Sequence, residues 1–592
     1  MLDFPDLAVP FWMIQAQRSL DMTKRSRTRF HPLISNRFAV VVAYAFLALW
    51  ATWPLAREPA TTLPLGATQV TTVPLFNVWT IWWNADRLRH GFSHYWNAPI
   101  FHPATETFAF SEPQPTTILV APIVWLTGSR VLAYNVYLWL SLVLNGVFAE
   151  RLLRLLGNRR ATAFGGGAAM LLLPLVHAQI EVLQLIPVWG ILWTWMALIK
   201  TARRPSVARG AEAGAAFGVA FLSCAHQGLF LAVLIAGAVW TLPRWSLRLR
   251  GWLPWFVAAA VAAMLAGPVV VRFQHVMTNY DFKRTPDIVM RLSALPVDYA
   301  SAAGRHWIGL SDLPARPGVC LSPGWIKTGL AVVGLVFGMG RRRWRRWTVF
   351  LLVTAGLAFL LSLGPNLNIG RWHPWWTLTG NVPGLSQVRN VFRFAFFVQM
   401  AAVVFASQGL YGLSLISRRF CVNSRCRFVA TVLLTFLGLA GIFEVVPATP
   451  PLAVVPDRAA NARWIGFVRD ATLPGGAIAC LPFAAGDRVD QFEVTARWMY
   501  FATFHQAPLV DGYSGFFPPE YFELRAALNL RPLSEDAFKR LAEAGVELVV
   551  VDRTANIAPA LDQLQFNSFR LEHVFADSVG IDVYRLLRIG KR

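Results

Sequence analysis

The sequence predicts an α-helical polytopic membrane protein of about eleven spans, followed by a small α/β domain at its C-terminal end. Three observations predict it. Apolar stretches of roughly 15–25 residues, long enough to cross a bilayer, alternate with short arginine clusters over the first three quarters of the chain. Only 15% of the 592 residues are charged while 55% are hydrophobic, with a mean hydropathy of +0.45; a soluble protein carries about a quarter charged residues. From about residue 447 the composition changes to a proline-punctuated linker and then to mixed helix and strand patterns.

Residues 1–37 read as a cytoplasmic N-terminal segment. Residues 11–14 are too short an apolar run for a signal peptide, and no small-residue cleavage site follows. Met22, just before Lys24, Arg25, Arg27 and Arg29, looks like a natural start, with 1–21 an upstream extension. A transmembrane domain is expected over 38–446. Its spans fall at about 38–55, 131–153, 161–176, 180–199, 211–225, 229–242, 252–271, a stretch ending at Arg341, 348–363, 392–415 and 428–446. Residues 118–126 are too short to cross and read as a re-entrant or interfacial element. Under this count Arg151 to Arg160, Lys200 to Arg204, Arg244 to Arg250, Arg341 to Arg346 and Arg418 to Arg419 all fall on one side. That side is cytoplasmic by the excess of arginine. Long loops at 57–115, 272–324 and 365–388 then lie outside, as does the tail, 447–592.

In the tail, 477–482 and 546–552 are short apolar runs suited to buried strands. Residues 534–544 read as a helix capped by Ser534, and 581–586 as a final strand.

The net charge of +23 points to the anionic membrane leaflet and not to nucleic acid, because the arginines sit between apolar spans and form no soluble basic face. Five cysteines form no Cys-x-x-Cys pair or zinc spacing, and a disulfide between Cys421 and Cys426, flanking a cytoplasmic turn, is not expected. No metal or other cofactor is implied. No P-loop or hydrolase elbow is present. Mid-span acids are scarce, which leaves a lipid or polysaccharide transporter a weaker reading.

The first outside loop carries Asn77, Trp79 and Trp83, then Phe101, His102 and Pro103, then Ser111 and Glu112. Trp79, Trp82 and Trp83 suggest an amphipathic helix in the bilayer interface, or a platform on which sugar rings stack. Ala133, Tyr134 and Asn135 follow at the next span. A second block runs from Ser362 to Pro365 and from Pro383 to Arg389, with Arg393 and Phe394. A third runs from Asp511 to Phe516. In these three blocks the chain resembles bacterial membrane proteins of the GT-C glycosyltransferase superfamily, over nearly its whole length.

The resemblance implies an enzyme of the bacterial inner membrane, with the N-terminus cytoplasmic and the C-terminus periplasmic or extracellular. It implies a polyprenyl-phosphate-linked sugar as donor, an envelope glycan or lipid as acceptor, and inverting transfer on the outer face. An acidic residue of the first loop would serve as general base. Such proteins carry an Asp shortly before the Asn-x-Trp segment, whereas residues 67–73 here contain no acid. Glu112 is then the first candidate base and Glu58 the second; the alternative for Glu112 is a structural partner for a nearby arginine or helix end. Asp86, beside Arg87 and Arg89, reads as a solvated ion pair. Arg389 and Arg393, four apart, would share a helix face as a clamp on the donor phosphate, or snorkel at the interface. Asn77, Trp79, Trp83, His102 and Ser111 complete the expected substrate loop. His177 and Glu181 could be helical neighbours, but a third metal ligand is wanting. The missing loop acid keeps open a second reading, a non-catalytic relative that binds or helps assemble envelope glycans.

Overall fold

The computed structural model describes residues 31–66, 69–242, 249–306, 316, 319–421, 423–530, 533–553, 561 and 566–589. The expectations for Met22, Lys24 to Arg29, Arg244, Arg248 and part of 67–73 lie outside them.

A helix forms at each stretch that the sequence marks as a span. In chain order, α1 is His31–Ala51, and α2 (Thr72–Arg89) belongs to the first long loop. The short α3 (Ala121–Thr127) occupies the expected re-entrant stretch and leads into α4, Arg130–Leu155. Then come α5 (Arg160–Leu171), α6 (Pro174–Ala178), α7 (Trp189–Arg203), α8 (Val207–Ser223), α9 (Ala225–Ala238), α10 (Leu249–Asn279) and α11 (Pro286–Arg291). The membrane part closes with α12 (Trp325–Gly340), α13 (Arg342–Ser362), α14 (Pro374–Asn381), α15 (Ala395–Phe420) and α16 (Ser424–Phe443). Seven helical stretches among the described residues are long and apolar enough to cross a membrane, and four shorter apolar helices accompany them.

Two helix pairs come together through glycine. A Cβ on Gly210 or Gly214 of α8 would run into the backbone carbonyls of Pro254 and Ala258 on α10, and one on Gly218 would strike Leu265. Small residues every fourth position permit this backbone approach within a bilayer, where packing replaces the hydrophobic effect between helices. Gly334 of α12 and Gly409 of α15 do the same for their pair. At the start of α12 the Glu444 carboxylate accepts from the N–H groups of Trp325 and Ile326, while Lys327 stands 3.8 Å from it. A buried anion is thereby matched by a helix N-terminus and a cation.

The α16 turn differs from expectation. The chain reversal sets the Cα atoms of Cys421 and Cys426 5.3 Å apart, within the range a disulfide bridges, and the two are bonded.

The tail folds as expected, with one addition. Its sheet has β5 (Ala477–Leu481) parallel to β6 (Val546–Asp552), then β8 (Ile581–Arg588), then β7 (Phe569–Ala576) antiparallel at the edge. Strand β7 escaped the sequence reading because half of it is polar and exposed. Helices α17 (Ala462–Ala471), α18 (Glu493–His505), α19 (Pro519–Asn529) and α20 (Glu535–Glu543) cover the sheet, and the Ser534 hydroxyl caps α20.

Tail and first loop are interleaved. Strand β1 (Thr62–Pro64) pairs with β4 (Leu452–Val454), and β2 (Arg305–His306) pairs with β3 (Val445–Val446). The backbone at 508–510 pairs with Ile478 on one side and with Pro99 and His102 on the other, so the loop extends the tail's sheet. Glu493 accepts from the Thr71 N–H at 2.6 Å and its hydroxyl at 3.0 Å.

Candidate functional site

The tryptophan face of helix α2 is buried within the protein. Trp79 is fully buried, and Trp82 and Trp83 are each 5% exposed, stacked with Phe76 and Phe108 on a helix that α18 packs against. Neither Trp79 nor Trp83 is open to a sugar ring. The cause is tertiary: the rest of the loop, through Tyr95 and Phe108, folds over the tryptophans, while the tail meets the helix at Thr71, Thr72 and Phe76. Asn77 is buried with them. Its amide donates to the Val73 carbonyl, and its oxygen accepts from Gln114 at 2.7 Å.

Glu112 is carried to a different neighbourhood. It lies against the first turn of α9, beside the Cys224 thiol and the N–H groups of Ala225 and His226, within the field of Arg393. Burial raises its carboxyl above the usual range, and these neighbours pull it part of the way back. Oxygen Oε2 is buried with no partner at hydrogen-bond geometry. Ser111 reaches the same region, where Gly515 packs against it and Phe516 donates to the Phe110 carbonyl at 3.0 Å.

Arg393 acts directly on this carboxylate, and Arg389 and Arg284 lie beyond it around His226. Arg393 donates to Gln179 at 3.1 Å and feels the charges of Arg389, Glu112 and Glu181. Arg389 meets the Tyr513 hydroxyl. The two do not share a helix face as the spacing suggested: Arg389 precedes a 3-10 turn at Val391–Phe394, and α15 begins only at Ala395. The third, Arg284, was not anticipated. It donates to the Gly515 carbonyl at 2.8 Å and lies 3.6 Å over the Phe516 ring. Burial and then Arg389 push its guanidinium down to about 9, still charged at neutral pH.

The polar lining is incompletely satisfied. Among the described residues, Glu112 Oε2, Gln114 Oε1, His226 Nε2, Gln387 Oε1 and Arg393 Nε are buried without partners. Buried orphan polar atoms are costly, so a group of them in one place marks a position for a polar ligand. Three cations, one ring-stacked, suit a phosphate. Glu181 borders the same place: its carboxylate accepts from the Gly66 N–H at 2.9 Å, just before the stretch that lacks an acid. Within the tail, Asp511 accepts from Thr495 at 2.8 Å and neighbours Tyr521 and Arg525. Burial pushes the Asp511 carboxyl up to about 6.

Other candidates fall elsewhere. Glu58 is exposed, with Thr61 its side-chain neighbour. His102 is drawn to the tail, where its N–H donates to the Leu509 carbonyl. Asp86 pairs with Arg87 as expected, but the pair is largely buried and not solvated. His177 and Glu181 are not helical neighbours, because α6 ends at Ala178. No group of three metal-binding side chains occurs among the described residues.

No family model matches the chain, and no curated protein matches it. A solved structure does: the chain superposes on the arabinofuranosyltransferase AftD from mycobacteria, a mutant form solved by electron cryomicroscopy, with a TM-score of 0.54. The chain therefore shares the fold of the aligned part of AftD. The match covers 92% of this chain at 12% identity, and spans 41% of the length of AftD. Similarity at that identity carries the fold, and the activity must be argued from the residues of this chain.

Proposed function

We propose that the chain is a membrane glycosyltransferase that moves a sugar from a polyprenyl-phosphate donor to a hydroxyl of an envelope glycan or lipid, on the outer face built by the three loops and the tail. One observation carries the reading: a buried carboxylate with a partnerless oxygen, Glu112, lies in the field of Arg393, which adjoins Arg389 and through it Arg284, among further unsatisfied polar atoms. The GT-C fold of the neighbour supports it.

In this reading Glu112 takes the proton of the acceptor hydroxyl as that oxygen bonds to the anomeric carbon. The bond from this carbon to the donor phosphate breaks, and the lipid phosphate departs as an anion held by the arginines. A carboxyl raised by burial is a stronger base, suited to this task. Arginine forks match the leaving phosphate's geometry and stabilise the charge as it develops. The cytoplasmic N-terminus and outer-face tail belong to this proposal.

The test is transfer from a panel of radiolabelled polyprenyl-phosphate sugars by purified protein and by Glu112→Gln. Transfer that vanishes in the variant supports both enzyme and base. Transfer that survives in the variant removes Glu112 and turns attention to Glu181. Absence of transfer with every donor and a broad acceptor panel favours the non-catalytic relative.

A further inference from the structure

At the other end of the helix bundle lies a second concentration of charge. Helix α10 starts there and ends near Arg284; its 31 residues span about 46 Å, the full depth of a bilayer. At that end a cavity of about 830 Å³ opens among the ends of α4, α7, α8, α10 and α13. Small-molecule sites measure about 300–1,000 Å³. Its lining includes Arg203, Arg204, Arg209, Arg342, Arg343 and Arg346, with Lys200, and no carboxylate. Trp252, Trp255 and Trp347 supply apolar wall.

Topology alone requires basic residues at span ends, and snorkelling side chains satisfy that by spreading into the headgroups. Here they are drawn around one concave space and fixed. Arg203 donates to the Leu155 carbonyl at 2.8 Å and lies 4.9 Å over the Trp347 ring. Arg209 donates to the carbonyls of Arg204 at 2.9 Å and Lys200 at 3.3 Å. Arg346 donates to the Leu242 carbonyl. Carbonyls position a guanidinium without cancelling its charge. Glu212 pairs with Lys200 at 2.7 Å and offsets one cation.

Converging guanidinium forks favour phosphate oxygens, and several phosphates over one. The tryptophans and the position at a bilayer boundary favour a ligand with an apolar portion held in the leaflet. We propose that this cavity binds the headgroup of an anionic membrane phospholipid bearing more than one phosphate, with its glycerol and acyl portion against the tryptophan wall. The site is separate from the sugar-transfer reading and stands whether or not that reading does.

The test uses the full chain in phosphatidylcholine nanodiscs, doped with cardiolipin or phosphatidylglycerol, or supplied with pyrophosphate in solution. Native mass spectrometry reads retained lipid, and thermal unfolding reads stabilisation. One cardiolipin should be retained per chain, at least tenfold over phosphatidylcholine, with a raised unfolding midpoint. The combined Arg204→Ala, Arg342→Ala and Arg343→Ala variant, made at exposed positions, should lose both effects. Arg345→Ala, on the same face and outside the cavity, should keep them. Circular dichroism of the triple variant separates lost binding from lost fold; should it misfold, Arg343→Glu alone must reduce retention. Equal retention of phosphatidylcholine, or unchanged retention in a folded triple variant, overturns the proposal. Stabilisation by pyrophosphate that cardiolipin neither increases nor competes with assigns the cavity to a soluble phosphate compound and overturns the lipid.

Discussion

Two groups of arginines occupy opposite ends of one helix bundle, and they differ in what surrounds them. Arg284, Arg389 and Arg393 are partly buried by loops and tail, share their space with Glu112 and Glu181, and stand among orphan polar atoms. The opposite group is more exposed, lines a cavity without carboxylates and is anchored on backbone carbonyls. Chemistry that moves a proton needs an acid and a base beside the phosphate, which the first group has and the second lacks. The same residue type thus reads as reaction machinery at one end and as a holding site at the other.

The comparison breaks most readily at Glu112. Glu112→Gln keeps the shape and removes the base, so transfer should fall by roughly 10²–10⁴-fold, measured with radiolabelled donor. An unchanged rate would make the outer group a holding site too. Asp511 gives the next largest effect. Its folded pKa of about 6 exceeds the unfolded value near 4. The native state therefore holds its proton longer, and stability falls as pH rises from about 4 to about 6, by roughly 3 kcal/mol, with little further change above. Thermal unfolding of Asp511→Asn against pH should lose that slope. Arg393→Lys replaces a fork by a point charge where Arg393 also holds Gln179. It should reduce transfer about tenfold, through weaker phosphate binding, while the fold persists by circular dichroism. Arg345→Ala, exposed on the opposite face, should shift unfolding by no more than about 0.5 kcal/mol. A larger loss there would mean that this end of the bundle carries structural weight the comparison denies it.

How much was legible follows from the range of the forces involved. The membrane helices were legible because apolar length and flanking arginine are local signals; each expected span contains a helix, though 180–188 is turn and 161–176 is broken at Leu172, and seven stretches among the described residues are long enough to cross. Strands β5 and β6 showed themselves as compact apolar runs between polar residues. The site was legible in pieces. Ser111, Glu112, Arg389 and Arg393 were singled out and are brought together, as are Tyr513 and Gly515 of the tail motif. The exposed platform expected of Trp79 and Trp83 is absent for a plain cause: aromatic residues at helical spacing look alike whether lipid or protein covers them, and here Phe76, Trp82 and Phe108 of the same loop lie against them. Arg284 and Glu181 were unplaced because no local pattern ties a loop cation or an interhelical turn to a site. The Cys421–Cys426 bond depended on the angle of a turn that composition does not encode.

The interleaving of the first loop with the tail has a consequence in time. Thr71 and its partner Glu493 are separated by 422 positions, and the segment around Pro99 completes a sheet whose other strands are made last. At about 5–20 residues per second, the loop waits on the order of 20–80 s after its own synthesis before the surface it binds exists. During that interval the start of α2, at Thr71, Thr72 and Phe76, has no tail to pack against. The outer assembly of loop and tail is thus the last part of the molecule able to close.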